Sequence, residues 1–535
     1  LKELKEIASI KLFTERASHA KPDFVLNEKN AKPVVQICEQ LDGIPLAIEL
    51  AAARIKVLSA DEIAARLGDR FSLLTAGSRT ATPRHQTLRA TIDWSYDLLA
   101  EPERILFRRL CIFAGGFTLK SAEAICGFGE LKPGDVLEVL ARLVDKSLVI
   151  VQDASSNQET RYRLLETIRQ YSREKLESFG EADKVRDRHL EFFIRLAEEA
   201  ELHHFSSEQL LWFARVQTEI DNMRAAMDWS IATVDSQESK SVTWRHETGL
   251  RLIGALVWFW HRNYARETSE RLKQMLAMTV QPTLGRARAL YSLGFLHWTV
   301  NNFPEARASL GEALTISRKL DDGLTLARSL GYLGAVAAAE GDYTLAHSLL
   351  EESLSLARAL GTSGRKAASW ALALLGDVRF EKGDFSSSKS LYEEAVALTK
   401  EAHEKNLLGL MIRRLGYVAL KQLDNTQATE YFRESLKLNQ EVGHPVGICA
   451  SLTAFANLAL AQEKAPQAAQ LFGAVESYLN DLSSPLFYSD EIEYQLGVLN
   501  LRKPPMEAAL EKAWAKGAAM SIEQAMEFAL KENRV

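Results

Sequence analysis

Little in this sequence could organise a covalent or metal-bound framework. Its 535 residues hold four cysteines, Cys38, Cys111, Cys126 and Cys449, and no C-x-x-C pair. That pattern argues against a zinc site and a disulfide scaffold, and fits a reducing, cytoplasmic setting. No block of five or more basic residues occurs and the net charge is −6, so bulk charge leaves no nucleic-acid footprint. The longest apolar run, Leu252 to Trp260, is half a membrane span, and the opening Leu1-Lys2-Glu3-Leu4-Lys5 is no signal peptide. No membrane partner is expected.

Motifs for catalysis are missing too. His246-Glu247 and His403-Glu404 lack the second His of H-E-x-x-H, and there is no G-x-S-x-G elbow. The one His pair, His203-His204, reads as a solvated helix end. None of the 29 glycines precedes a lysine, so the phosphate-cradling G-x-x-x-x-G-K-[ST] is absent. The chain is expected not to be an enzyme by itself, with no catalytic residue, no metal site and no cofactor of its own.

What the sequence has is helix-forming composition: 47% hydrophobic, 25% charged and only 13 prolines. It also has a repeat. Leu293-Gly294, Leu333-Gly334, Leu375-Gly376 and Leu415-Gly416 recur 40 to 42 residues apart. Ten residues after each Leu stand Phe303, Tyr343, Phe385 and Asn425, each preceded by Asn or Asp. Small residues follow (Ala306, Ala346, Ser388, Ala428), then Leu310, Leu350, Tyr392 and Phe432. A fifth, degraded copy runs from Phe455 through Ala468 to Phe472. One such helical hairpin cannot bury its own apolar face, so the copies must stack. The small residue of each second helix is expected to pack on the Gly of the first. The pattern resembles the tetratricopeptide repeat in a long-period form. That resemblance implies a solenoid whose concave surface holds a protein or small-molecule effector, with Trp298, Tyr332, Trp370 and Arg413-Arg414 as candidate lining.

Towards the N-terminus, Leu41-Asp42-Gly43-Ile44-Pro45-Leu46-Ala47 reads as a helix end capped by Gly43 and a new helix with Pro45 in its first turn. Helical patterns over Glu103–Phe113, Leu119–Cys126 and Asp135–Leu143, then a β-ribbon from Leu148–Gln152 and Arg161–Leu165, make a winged helix. Gly115-Gly116-Phe117 reads as a turn. The third helix offers Asp135, Glu138, Arg142, Asp145 and Lys146, a net charge of −1 that suits phosphate poorly.

Together these segments resemble the bacterial signal-transduction ATPases with numerous domains, the NB-ARC-like group. The resemblance implies a G-x-P motif at Gly43 and Pro45 on the adenine side of a nucleotide. Arg84 to Leu99 resembles the entry to that group's winged helix. Leu164-Leu165-Glu166 stands where the group's Met-His-Asp would touch a phosphate, and neighbouring Arg161 or Arg163 would substitute. Glu219 to Ala226 resembles the linker before the repeats. The expected fold is mostly α: the end of an ATPase core and a helical domain (1–78), a winged helix (79–178), a helical linker (179–280), tetratricopeptide-like repeats (281–480) and a C-terminal helical cap (481–535).

Because the chain begins at Leu1 and lacks the phosphate loop, it is expected to be a fragment. ATP or ADP with Mg would bind the intact parent, beside N-terminal NTPase and output domains. The function so implied is the regulatory and sensor portion of a nucleotide-switch transcriptional regulator, with DNA bound only through another domain. A stand-alone protein-interaction scaffold is one alternative. Direct DNA binding through the winged helix is the other.

Overall fold

The structure is a computed structural model. It describes the chain except residues 1–3, 5, 42, 75–82, 153–158, 204–207, 233–239, 264, 402–404, 483–484, 502–507 and 533–535. The side chains of 68–74, 83–88, 90, 209–210, 240–241, 261–263, 265, 406, 508 and 532 are likewise outside it. Two compact units divide it: Leu1–Phe193 with Thr218–Trp229, and Ile194–Gln217 with Ser230–Val535.

In the first unit, α1 (Ala8–Ala20), α2 (Ala31–Gln40), α3 (Pro45–Ala52) and α4 (Ala60–Leu74) close round Phe13, Val34, Ile37, Ile48 and Ile63. Gly43, at φ +63°, donates its N–H to Cys38 O at 3.0 Å and ends α2. Pro45 is the first residue of α3, where its missing N–H costs nothing. Helix α5 (Pro83–Asp97) carries the Arg84–Leu99 stretch as far as Asp97 and sends Trp94 into the same core.

The winged helix follows. Its helices are α6 (Glu101–Leu110), α7 (Leu119–Cys126) and α8 (Val136–Asp145). Glu103 caps α6 by accepting the Ala100 N–H at 2.8 Å, and Thr118 and Ser121 cap α7 reciprocally. A three-stranded antiparallel sheet has the order β1–β3–β2, with β1 Phe117–Thr118, β2 Ile150–Gln152 and β3 Arg161–Arg163. The ribbon is where the sequence placed it, but Phe117 does more than turn the chain: it opens a strand against Tyr162. Gly116, at φ +83°, lets the strands meet, since a Cβ there would lie 2.9 Å from Tyr162 O. Helix α9 (Glu166–Ser178) completes the domain, and the division between units falls within α10 (Ala182–His203).

After α11 (Gln209–Thr218) and α12 (Ile220–Ser230), helices α13 (Lys240–Ala255), α14 (Val257–Asn263) and α15 (Ala265–Met278) lead into five hairpins. These are α16 (Leu284–Thr299) with α17 (Phe303–Leu320), α18 (Gly323–Ala339) with α19 (Tyr343–Ala359), and α20 (Arg365–Glu381) with α21 (Phe385–Glu401). Then come α22 (Lys405–Lys421) with α23 (Asn425–Glu441), and α24 (Pro445–Ala461) with α25 (Ala465–Leu482).

The hairpin turns follow one recipe. Gly341 and Gly383 take the left-handed conformation that stops a helix, and Asp342, Asp384 and Asp424 cap the next by accepting the N–H of Leu345, Ser387 and Gln427. At the equivalent places Asn301, Leu423 and Glu463 adopt the same left-handed backbone without being glycine.

The expected Gly-to-small-residue packing needs correction. The space above Gly294 and Gly334 is filled by the side chains of Leu310 and Leu350, and that above Gly376 and Gly416 by the rings of Tyr392 and Phe432. The small residues Ala306 and Ala346 reach Gly294 and Gly334 through their backbone carbonyls only. The physical reason is that a missing Cβ on one helix leaves a slot for a large side chain on the other.

Three helices end the chain: α26 (Tyr488–Leu501), α27 (Ala508–Ala518) and α28 (Ile522–Glu532). Helix α27 lays its backbone at Trp514 on Gly473, and α28 buries Ala525, Met526 and Ala529 in the core of the last repeats.

Candidate functional site

The first region of interest is the motif turn. Gly43 and Pro45 are both exposed, with open space above Gly43, so the proline ring offers an uncovered apolar surface. Arg54, nine residues beyond Pro45, is buried and donates to Ser95 O at 3.2 Å. Burial pushes its guanidinium down to about 10.

Arg161 is already engaged. It pairs with the carboxylate of Glu219 and donates to Gly115 O at 3.1 Å. Asn222, one turn along α12, accepts the Ala114 N–H at 2.8 Å and donates to Gly116 O at 2.9 Å. The Glu219–Asn222 stretch thus pins the loop that leads into β1. Its motif stands out in the sequence, but its partners lie 58 to 108 residues away and cannot be read there. Close by, His189 is fully buried between Phe113 and Phe193. Burial pushes its imidazole down to about 3, against a hydrogen bond with Asn222. Arg163 is exposed.

The third helix of the winged domain uses its cations internally. Arg142 pairs with Glu138 at 2.8 Å and Glu103 at 3.5 Å, and Lys146 holds Glu103 at 2.5 Å. Asp145 meets Lys56, from the helical domain, at 2.9 Å. The remaining exposed face carries Leu137 and Ala141.

The second region is the inner face of the solenoid. Trp298 (α16), Tyr332 (α18) and Trp370 (α20) form a ring cluster, with centroids 5.2 to 5.7 Å apart. Arg413 and Arg414 stand further along on α22. The sequence singled out these five as lining, and the structure brings them to one side of the helical stack. It also covers them. The chain returns after α25, and Pro485 to Asp490 lies across this face. Phe487 stacks on Trp298 at 5.5 Å and faces His444 at 6.4 Å. Tyr488 Oη donates to Ala339 O at 3.0 Å, and its ring meets Phe303 edge-on at 5.5 Å. Asp490 receives two hydrogen bonds from Arg413, at 2.7 and 3.2 Å, and both side chains are 2% exposed. Arg414 bonds Ser489, and lies 3.4 Å from both Asp490 and Asp377. Burial pushes the Asp377, Glu381 and Glu493 carboxyls up, against the pull of nearby Arg414.

Among the described residues, no group of three or more His, Cys, Asp and Glu could hold a metal ion. His203 pairs with Glu208 at 3.2 Å and stacks on Trp212, while His204 and His403-Glu404 lie outside the described residues. The four cysteines are buried and free. Among the described residues, no helix is long and apolar enough to cross a membrane.

These features define a class: a winged helix joined in one chain to a tetratricopeptide solenoid. Residues 99–177 match the winged helix-turn-helix domain family, and residues 285–481 match the MalT-like TPR region. The chain is 42% identical over 337 residues to a protein of Mycobacterium tuberculosis named "Putative HTH-type transcriptional regulator", covering 61% of this chain and 36% of that one. An uncharacterized protein of the same organism is 47% identical over 178 residues, covering 33% of this chain and 45% of that one. The chain therefore spans about a third of the length of the curated regulators it matches. A signal transduction ATPase with numerous domains and a tetratricopeptide repeat sensor, from Pyrococcus horikoshii, shares the fold. Its TM-score is 0.50 at 14% identity, covering 99% of this chain and 75% of that one.

Proposed function

We propose that the chain is the regulatory and sensor portion of a nucleotide-switch transcriptional regulator. Its solenoid reads an effector, and its winged helix serves as a structural joint. The observation that carries this is the state of the third winged-domain helix. A helix that reads DNA needs free basic and amide side chains on its outer face. Here Arg142 and Lys146 are held by Glu103 and Glu138, and Asp145 is held by Lys56 of the helical domain that bears Gly43 and Pro45. DNA contact is then left to another domain of the regulator.

The exposed Pro45 ring suits one wall of an adenine pocket, which supports nucleotide binding there in the intact protein. Arg161 suits a phosphate poorly, because Glu219 already neutralises it. ADP or ATP with Mg would therefore need its phosphate contacts from elsewhere. Arg163 is the wing arginine with an exposed side chain.

The test is a titration of this chain with duplex DNA at low and moderate salt. No binding in the micromolar range is expected at either. Binding with a steep salt dependence, reduced by Arg163→Ala, would make the winged helix a DNA reader and overturn the reading. For the nucleotide part, Pro45→Ala in the full-length gene product should weaken ADP binding. A full-length product with no ADP affinity refutes that part.

A further inference from the structure

The solenoid's inner face carries its own occupant. Pro485 to Asp490 crosses it, and α26 continues over the later repeats, where Asn457 donates to Glu493 O at 3.1 Å. Tyr494 and Leu501 of α26 belong to the core of the last repeats, but Phe487, Tyr488 and Asp490 are held as a ligand's groups would be. A ring is stacked on Trp298, a hydroxyl is fixed on a helix-terminal carbonyl, and a carboxylate sits in a two-pronged arginine fork. Three chemically distinct subsites lie in a row, on α16, α18 and α22.

The fit is incomplete. The indole N–H groups of Trp298 and Trp370 are buried with no hydrogen-bond acceptor. A buried donor without an acceptor disfavours the closed arrangement, and an incoming chain with carbonyls at that position would relieve it. Helix α26 buries one side only: Leu496 and Leu499 on its other side are exposed. Leu486 is buried with the core of the last repeats, so displacement has to free that one side chain as well as the three subsites.

From this we infer that Pro485–Asp490 is a displaceable plug, and that the solenoid's effector is a peptide with the same chemistry: two adjacent aromatic residues with a carboxylate two positions later. The inference rests on the reading of the solenoid as a sensor. Its test needs neither nucleotide nor DNA, so the two readings fail separately.

A fluorescent peptide spanning residues 485–495 serves as the probe, titrated into the full chain by polarisation. Binding to the unaltered chain should be weak, because only the fraction with an open groove can accept it. A chain with Phe487→Ala and Asp490→Asn keeps the groove and loosens the plug, and should bind about tenfold tighter or more. Adding Arg413→Gln to that chain, or Asp490→Asn to the peptide, should remove the gain. A folded double variant that fails to bind the peptide overturns the inference. Hydrogen exchange on the unaltered chain decides the matter even if the variants do not fold. Amides of 488–494 should exchange well before those of 410–421 beneath them. Exchange of both only on global unfolding would make the segment permanent core, and would equally overturn the inference.

Discussion

Buried arginines do different work in the two units. In the winged-helix unit they close loops onto the domain's own frame. Arg109 donates to the carbonyls of Cys126 and Phe128 at 2.8 Å and pairs with Glu181 at 2.6 Å, while its guanidinium lies over the Phe128 ring. Arg161 does the same for the β1 loop. In the solenoid unit, Arg413 and Arg414 reach a segment 75 to 77 residues away that lies outside the repeat pattern. The first use makes a rigid joint. The second makes a latch. A charge that also satisfies backbone carbonyls is hard to free, whereas one held by side-chain groups can exchange them for a ligand's.

The comparison can be broken most severely at the slots between repeat helices. Gly376→Val would drive a branched side chain into the Tyr392 ring and should cost about 3 kcal/mol or more. Gly311→Ala, which meets nothing, should be neutral or slightly stabilising. Calorimetry should show the loss in the solenoid transition and leave the winged-helix transition unmoved.

On the other side, Glu219→Ala strands Arg161 in a mostly buried place. It should lower the stability of the first unit by about 2 to 3 kcal/mol, visible as an earlier first transition in denaturant. Equal shifts in both transitions would contradict the division of labour.

Acid should weaken the first unit through His189. His189 titrates near 3 when folded and near 6.5 when unfolded, so the unfolded chain binds the extra proton between those values. The stability this neutral imidazole contributes is full above the unfolded value and falls as the pH drops below it, by about 2 kcal/mol at pH 5. In the solenoid, Asp377, Glu381 and Glu493 have raised values, so the folded state binds the extra protons. Moving from pH 7.5 to 5 therefore acts on that unit in two senses, because burial lowers His246 and His297 there. Melting curves at the two pH values test this, and His189→Gln should flatten the response of the first unit.

The smallest effect is a gain. Leu423 is 85% exposed and holds a left-handed backbone, at φ +64°, that glycine takes without strain. Leu423→Gly should stabilise the solenoid by about 1 kcal/mol, as a rise in its melting temperature.

How far the sequence is legible follows from the range of the interactions. The repeats are written in local terms: a Leu-Gly step, an Asn or Asp nine residues after the Leu, and a large residue seventeen after it. The ribbon of the wing is local too. Strand β1 is only Phe117 and Thr118, and pairing with residues 43 to 45 positions away has no local signature. The resemblance offers Arg161 or Arg163 to a phosphate because their position beside Leu164-Leu165-Glu166 is visible in the sequence, whereas the Arg161 partner Glu219 is not. The five inner-face residues were legible as lining because they recur on the first helix of successive hairpins. Their occupant was not, since Pro485 to Asp490 matches no repeat. Its Phe-Tyr-Ser-Asp gains meaning only once folding sets Arg413 opposite.

The glycine slots bear on inheritance as well as on packing. Each Gly is matched to one residue sixteen positions later on the partner helix: Leu310, Leu350, Tyr392 or Phe432. A hairpin is therefore the smallest piece that can be duplicated, deleted or exchanged with its fit intact. Recombination cut at the turn between its helices would pair mismatched halves. The first two hairpins, both Gly opposite Leu, are interchangeable by this measure. The third is not, because Tyr392 also bonds Asp377, which is tied through Arg414 to the latch. Repeat number itself is constrained from Trp298 to Arg413, because α16, α18 and α22 hold one segment in register.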